Sequence, residues 1–258
     1  MQDSVYNGAF GALTQSYRLD LITNNLANAD TVSFKREKTA FEDVLTHYAH
    51  DYMDPNRALS GGIMWPEADE MTQPRISESK IAFVQGEMQQ TGNPLDLAID
   101  GEGFFRVRTP EGEFLTRDGR FTRSAQGNLV TLKGYEVLGQ DGPLTLPEQG
   151  RITVNGGGRI EVGGNAAGTI DLVTVNNLSR LEKRGENLYR MPEDGNVQTV
   201  PAEEAAVVQG TLEQSNVKVV EEMVRMIETL RMFEACQRAM TNTNEQDKNV
   251  ISKLGTPR

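Results

Sequence analysis

His47, His50, Asp51 and Asp54 form the spacing H-x-x-H-D-x-x-D, a donor set that could hold a divalent metal. They include both histidines of the chain, and no helical period around them would aim the side chains; a solvated connector is the favoured reading. Asp96 and Asp100 fall in an alternating run whose Leu95, Leu97 and Ile99 mark ordinary in–out patterning rather than an acid–base pair. "DGEGFF" and "NGGGR" are glycine-rich, but neither carries the Lys-Ser/Thr of a phosphate loop or a G-x-G-x-x-G opening a helix. They read as turns. Cys236 has no histidine near it in sequence and reads as a small packing residue. Asn177-Leu178-Ser179 is a sequon of the kind that chance supplies. No catalytic, cofactor or metal constellation emerges, and the expectation is a protein that is not an enzyme and carries no cofactor.

Composition narrows the classes further. A chain of 258 residues can bury a sizeable core, yet only 37% of it is hydrophobic and 6% aromatic, thin for one compact globule. Its 25 glycines point to turns and β-structure. The net charge of −11 argues against nucleic acid, which demands clustered Lys and Arg, and against an anionic membrane surface. The single cysteine allows no internal disulfide. No apolar run approaches the length of a membrane span, and the opening "MQDSVYNGAFGALTQSYRLD" lacks the basic start and apolar stretch of a secretory signal.

The strongest periodicity lies at the two ends. Val5, Ala9, Ala12, Ser16, Leu19, Thr23 and Leu26 follow a 4, 3, 4, 3, 4, 3 spacing that lines one face of a helix, widened by Phe10, Leu13, Tyr17 and Leu21. A second series runs Val219, Met223, Met226, Leu230, Phe233, Gln237, Met240, Asn244, Asp247, Ile251 and Leu254, about five heptads of a coiled-coil pattern. Polar Gln237, Asn244 and Asp247 in that seam would set register, and Ser215 would cap the helix near Asn216. Paired with each other, two such helices still leave apolar surface that invites further copies.

Between them the texture is different. Residues 46–75 show no period and read as an extended connector. From Ile76 short alternating runs are separated by turn signals at Pro110-Glu111-Gly112, Asp118-Gly119, Gln126-Gly127-Asn128 and Asp141-Gly142, predicting hairpins. The predicted fold is α+β: N- and C-terminal helices pairing as a coiled-coil layer, with a mainly antiparallel β-rich central domain. The expected division is 1–30 with 215–258 as a discontinuous helical assembly domain, 31–75 as connector and 76–214 as the β-rich domain.

Three stretches carry a family resemblance. "NNLANADTVSFKRE" is similar to the N-terminal signature of the flagellar axial proteins, the rod and hook subunits, with Asn24, Asn25, Leu26, Ala27, Asn28, Thr31, Phe34 and Lys35 matching. Ser33 departs from it, standing where the family has glycine; a positive φ there would cost serine about 1 kcal/mol. "GEMQQTGNPLDLAIDGEGFFRV" with "EFLTRDGRFTRSAQGNLVTLKGYEVLG" resembles the shared central block, and "GTLEQSNVKVVEEMVRMIETLRMFEACQRAM" the C-terminal helix block. Within the family the opening, with Tyr6, resembles the proximal rod type, and the distal type second.

The resemblance implies a structural subunit of the bacterial flagellar rod that polymerises through its terminal helices and transmits torque. Its partners would be other rod subunits and further copies of itself. It would reach the periplasm-spanning basal body through the flagellar export apparatus without a cleaved signal, with no nucleic acid and no membrane insertion. Its assembly residues would be Leu19, Asn24, Asn25, Leu26, Asn28, Phe34, Lys35, Met223, Met226, Leu230, Phe233 and Met240. On that reading the asparagines end the helix and shape a joint, Phe34 anchors the chain beyond it, and Lys35 and Arg36 face neighbouring subunits. A β-rich binding or adhesin-like module with helical oligomerisation ends is the alternative.

Overall fold

The computed structural model describes residues 2–47, 70–192, 198–202 and 205–254. Two compact units share the chain: one of Met1–Asn24, Lys38–Lys80 and Val220–Arg258, the other of Asn25–Glu37 and Ile81–Val219. The chain therefore passes from one unit to the other four times.

The first unit holds most of two helices, α1 (Gln2–Ala27) and α2 (Val219–Leu254). Gly8 and Gly11 each cost α1 about 1 kcal/mol of helix propensity, and both sit where α2 comes close. A Cβ on Gly8 would lie 2.6 Å from Met240 Cγ, and one on Gly11 would lie 3.2 Å from Cys236 Sγ. Moving forward along α1 thus moves backward along α2, so the helices meet antiparallel there.

The covered face of α2 is not quite the predicted one. Met226, Phe233 and Met240 are half-buried as expected, but the alternate positions are Glu222, Thr229, Cys236 and Thr243 rather than Met223, Leu230, Gln237 and Asn244, which are exposed. Polar Thr229 and Thr243 tolerate that face because each hydroxyl donates to the carbonyl four residues back, Arg225 at 2.7 Å and Ala239 at 2.9 Å. On α1, Ala12 and Ile22 are buried while Phe10, Leu13 and Tyr17 face outward. The same unit contains most of a two-stranded sheet of Glu37–His47 and Glu70–Ile81, which reaches into residues 31–75 that the sequence predicted as an extended connector. Helix α2 begins at Val219, three residues later than predicted; Ser215 Oγ instead accepts from the Val217 amide, at 3.3 Å.

The second unit is the β body, and its pairings are antiparallel. Phe104–Thr109 is central in a ten-stranded sheet and pairs with Gly112–Thr116, Glu136–Gly139 and Leu172–Val175. Smaller sheets join Ile152–Val154, Arg159–Val162 and Asn165–Thr169; Leu97–Asp100 with Ala206–Gln209; and Met88–Gln90 with Thr211–Glu213. Hairpins fall at Pro110-Glu111, Gln126-Gly127 and Asp141-Gly142 as predicted. Asp118-Gly119 is not a hairpin: it carries the chain past Leu97, whose amide donates to the Gly119 carbonyl at 3.0 Å.

Two apolar clusters hold the body. The larger centres on Phe105 against Phe121, ring centroids 5.1 Å apart and nearly perpendicular, with Leu97, Val107, Leu129, Ile160 and Ile170 around them. In the smaller, Phe104 and Tyr189 pack edge-on with Phe83.

Candidate functional site

Among the described residues no group of His, Cys, Asp or Glu is placed to hold a metal. His50, Asp51 and Asp54 lie outside the described residues. The densest buried polar constellation is instead a joint within the β body, built from 25–37, 82–87 and 213–217.

Asn25 starts it. Its side-chain amide donates to the Glu37 carbonyl at 2.9 Å and accepts from the Glu37 amide at 3.0 Å, a two-bond pairing that copies a strand partner. A residue at the end of α1 is thereby fixed to the start of the next strand. Asn28 takes the Thr31 hydroxyl at 3.2 Å, and the Thr31 and Phe34 amides close successive turns on Asn28 and Thr31. Asn24 is exposed, whereas Leu26 and Leu19 are half-buried.

Ser33 has φ of 58°, the left-handed conformation glycine adopts without strain. It is fully buried, and its hydroxyl donates to the Arg117 carbonyl at 2.7 Å while its amide donates to the Glu213 carbonyl at 2.8 Å. The hydroxyl offsets the strain of about 1 kcal/mol with a bond of similar worth. Ser33→Gly is therefore expected to leave the joint within about 1 kcal/mol of its native stability. Ser33→Ala keeps the strain, loses the bond, and should cost about 1–3 kcal/mol. Exchange of the Asn216 amide in both variants checks the order.

Lys35 reverses an expectation. Its side chain is 0% exposed, so it does not face a neighbouring subunit. Its ammonium donates to Glu213 Oε1 at 2.5 Å and to the Val84 carbonyl at 2.9 Å. Glu213 Oε1 also accepts from the Gly86 amide at 2.8 Å, and Arg117 Nη1 approaches the carboxylate at 3.4–3.5 Å. One buried carboxylate thus serves two buried cations. Burial lowers the Lys35 pKa, against the opposing pull of Glu213, and Arg117 lowers it further.

Phe34 is buried as predicted, with the Lys183 ammonium 3.6 Å from its ring centroid and 2.9 Å from Glu37 Oε1. Asn216 closes the joint. Its amide nitrogen Nδ2 donates to the Ala82 and Val84 carbonyls at 2.7 and 2.9 Å, and its Oδ1 accepts from the Arg36 amide at 2.8 Å. Arg36 is half-buried and makes its own interactions.

Glu213, Asn216 and Arg117 were missed from sequence. Glu213 and Asn216 lie in the quoted stretch "GTLEQSNVKVV", but their partners are about 180 residues distant, and no local pattern marks such pairs.

Three family descriptions match the parts that build this arrangement: "Flagella basal body rod protein" over residues 6–35, "Flagellar hook protein FlgE/F/G D1 domain" over 98–162, and "Flagellar basal body rod FlgEFG protein C-terminal" over 208–253. The flagellar basal-body rod protein FlgF of Caulobacter vibrioides is 36% identical over 259 residues, 99% of each chain. FlgF of Mesorhizobium japonicum is 31% identical across 99% of each. FlgG of Buchnera aphidicola subsp. Schizaphis graminum is 32% identical over 98% of this chain and all of its own. The chain belongs to the flagellar basal-body rod protein family.

Proposed function

We propose that this chain is a proximal, FlgF-type rod subunit that polymerises through α1 and α2 and transmits torque. Relatives of both the FlgF and FlgG names share its length and order, and the 36% relative carries the FlgF name. A basal-body location and contacts with other rod subunits fit that membership, and the proposal includes export through the flagellar apparatus. Among the described residues no helix is long and apolar enough to cross a membrane.

The observation that carries the assembly reading is the apolar surface left on the helices. Val220, Met223, Val224, Ile227 and Leu230 are all more than 40% exposed on the first turns of α2, and Phe10 and Leu13 on α1 are similarly open. Burying one such side chain is worth about 1.5–3 kcal/mol, which favours a helical partner over water. Met226, Phe233, Met240 and Leu19 would support the α1–α2 pairing as a coiled-coil layer, while Met223 and Leu230 would face other subunits.

Ile227→Glu tests this. In sedimentation the native chain is expected to associate with rising concentration and the variant to remain monomeric, with helical circular dichroism unchanged. Association that survives this substitution together with Val224→Asp would remove the α2 surface from the assembly.

A further inference from the structure

We propose that the joint is a latch: segments 25–37, 82–87 and 213–217 separate from one another as a unit while the β body stays folded.

What holds the joint differs from what holds the body. Neither apolar cluster contains a residue of 25–37 or 213–217, and of the third segment Phe83 alone packs against the smaller one. The three segments meet instead through directional bonds. Ser33 N–H meets Glu213 O, Ala82 N–H meets Arg36 O at 2.9 Å, and Asn216 N–H meets Phe34 O at 3.3 Å, alongside the Lys35–Glu213 pair and the fork of Asn216. Such bonds are each worth little net of water, so the set fails together once its shared partner, Glu213, moves.

The body's grip on the joint is polar and uneven: the Arg117 carbonyl takes the Ser33 hydroxyl at 2.7 Å and Lys183 holds Glu37 at 2.9 Å. Arg117 reaches Glu213 at only 3.4–3.5 Å, and its buried Nε has no partner among the described residues. Asn187, which donates to the Val32 carbonyl at 2.7 Å, does so from φ of 56°, and Ser33 is also left-handed. The four points where the chain passes between units all flank these segments.

The test is native-state hydrogen exchange on the full chain. The Ser33, Ala82, Gly86 and Asn216 amides report the joint, and those of Phe105–Thr109 and Gly112–Thr116 report the body. The latch predicts that the joint amides exchange at least about tenfold faster than the body amides, through an opening with smaller urea dependence. In Gly86→Ala, where the new Cβ would lie 2.0 Å from the Gln214 carbonyl oxygen, the joint amides accelerate further and the body amides keep their rates. Joint and body amides sharing one rate in the native chain would overturn the proposal, as would a Gly86→Ala chain that unfolds as a whole.

Discussion

Gly119→Ala is expected to destabilise the β body by about 3 kcal/mol or more, at the upper end of what overpacking costs. The reason is contact with backbone rather than with a movable side chain. A Cβ on Gly119 would lie 1.5 Å from the Leu97 carbonyl oxygen, and the Leu97 amide already donates to the Gly119 carbonyl. The strand Leu97–Asp100 must shift, and Leu97 and Ile99 belong to the larger apolar cluster. Urea unfolding should show a lower midpoint with an unchanged slope. A variant within 1 kcal/mol of native would mean that this strand is not locked as described.

The second large effect is an asymmetry between the two partners of the buried ion pair. Glu213→Gln leaves Lys35 and Arg117 buried without a counter-charge, and removing one partner of a buried pair costs about 3–5 kcal/mol. Lys35→Met leaves Glu213 paired one-to-one with Arg117 and still accepting from the Gly86 amide. The Val84 carbonyl keeps the Asn216 amide at 2.9 Å. That substitution should cost less than about 1.5 kcal/mol. Both are read from exchange of the Ser33 and Asn216 amides.

The pH dependence follows from the lowered Lys35 pKa. Between that lowered value and 10.5 the open joint binds more protons than the closed one, so closure strengthens as pH rises through the window and weakens as pH falls back through it. Lys35→Met should abolish this trend. A trend of opposite sign in the native chain would mean that Glu213 more than offsets the cost of burying the ammonium.

Local pattern carried the sequence reading where the physics is local. The 3–4 spacing located both helices, and alternation with Gly-containing turns located the hairpins at Pro110, Gln126 and Asp141. It failed by half a helical step on α2, because apolar spacing cannot weigh a threonine that satisfies its own hydroxyl within the helix, as Thr229 does. Asp118-Gly119 has the composition of a turn but serves a close crossing with Leu97, a tertiary demand. Lys35 resembled a surface cation because sequence gives no sign of a carboxylate that the fold delivers from Glu213. The joint was legible as a place, at "NNLANADTVSFKRE", but half of its residues were not.

The separation of those partners also governs timing. Ser33, Lys35 and Arg36 meet Glu213 and Asn216 across about 180 residues, and closing so long a loop is favourable only once the intervening strands have compacted it. In any chain delivered N-terminus first, Asn25 to Glu37 therefore stays without its far partners until Asn216 has emerged. The joint is the last part of the body to be completed, and no truncated product that stops short of Glu213 can close it.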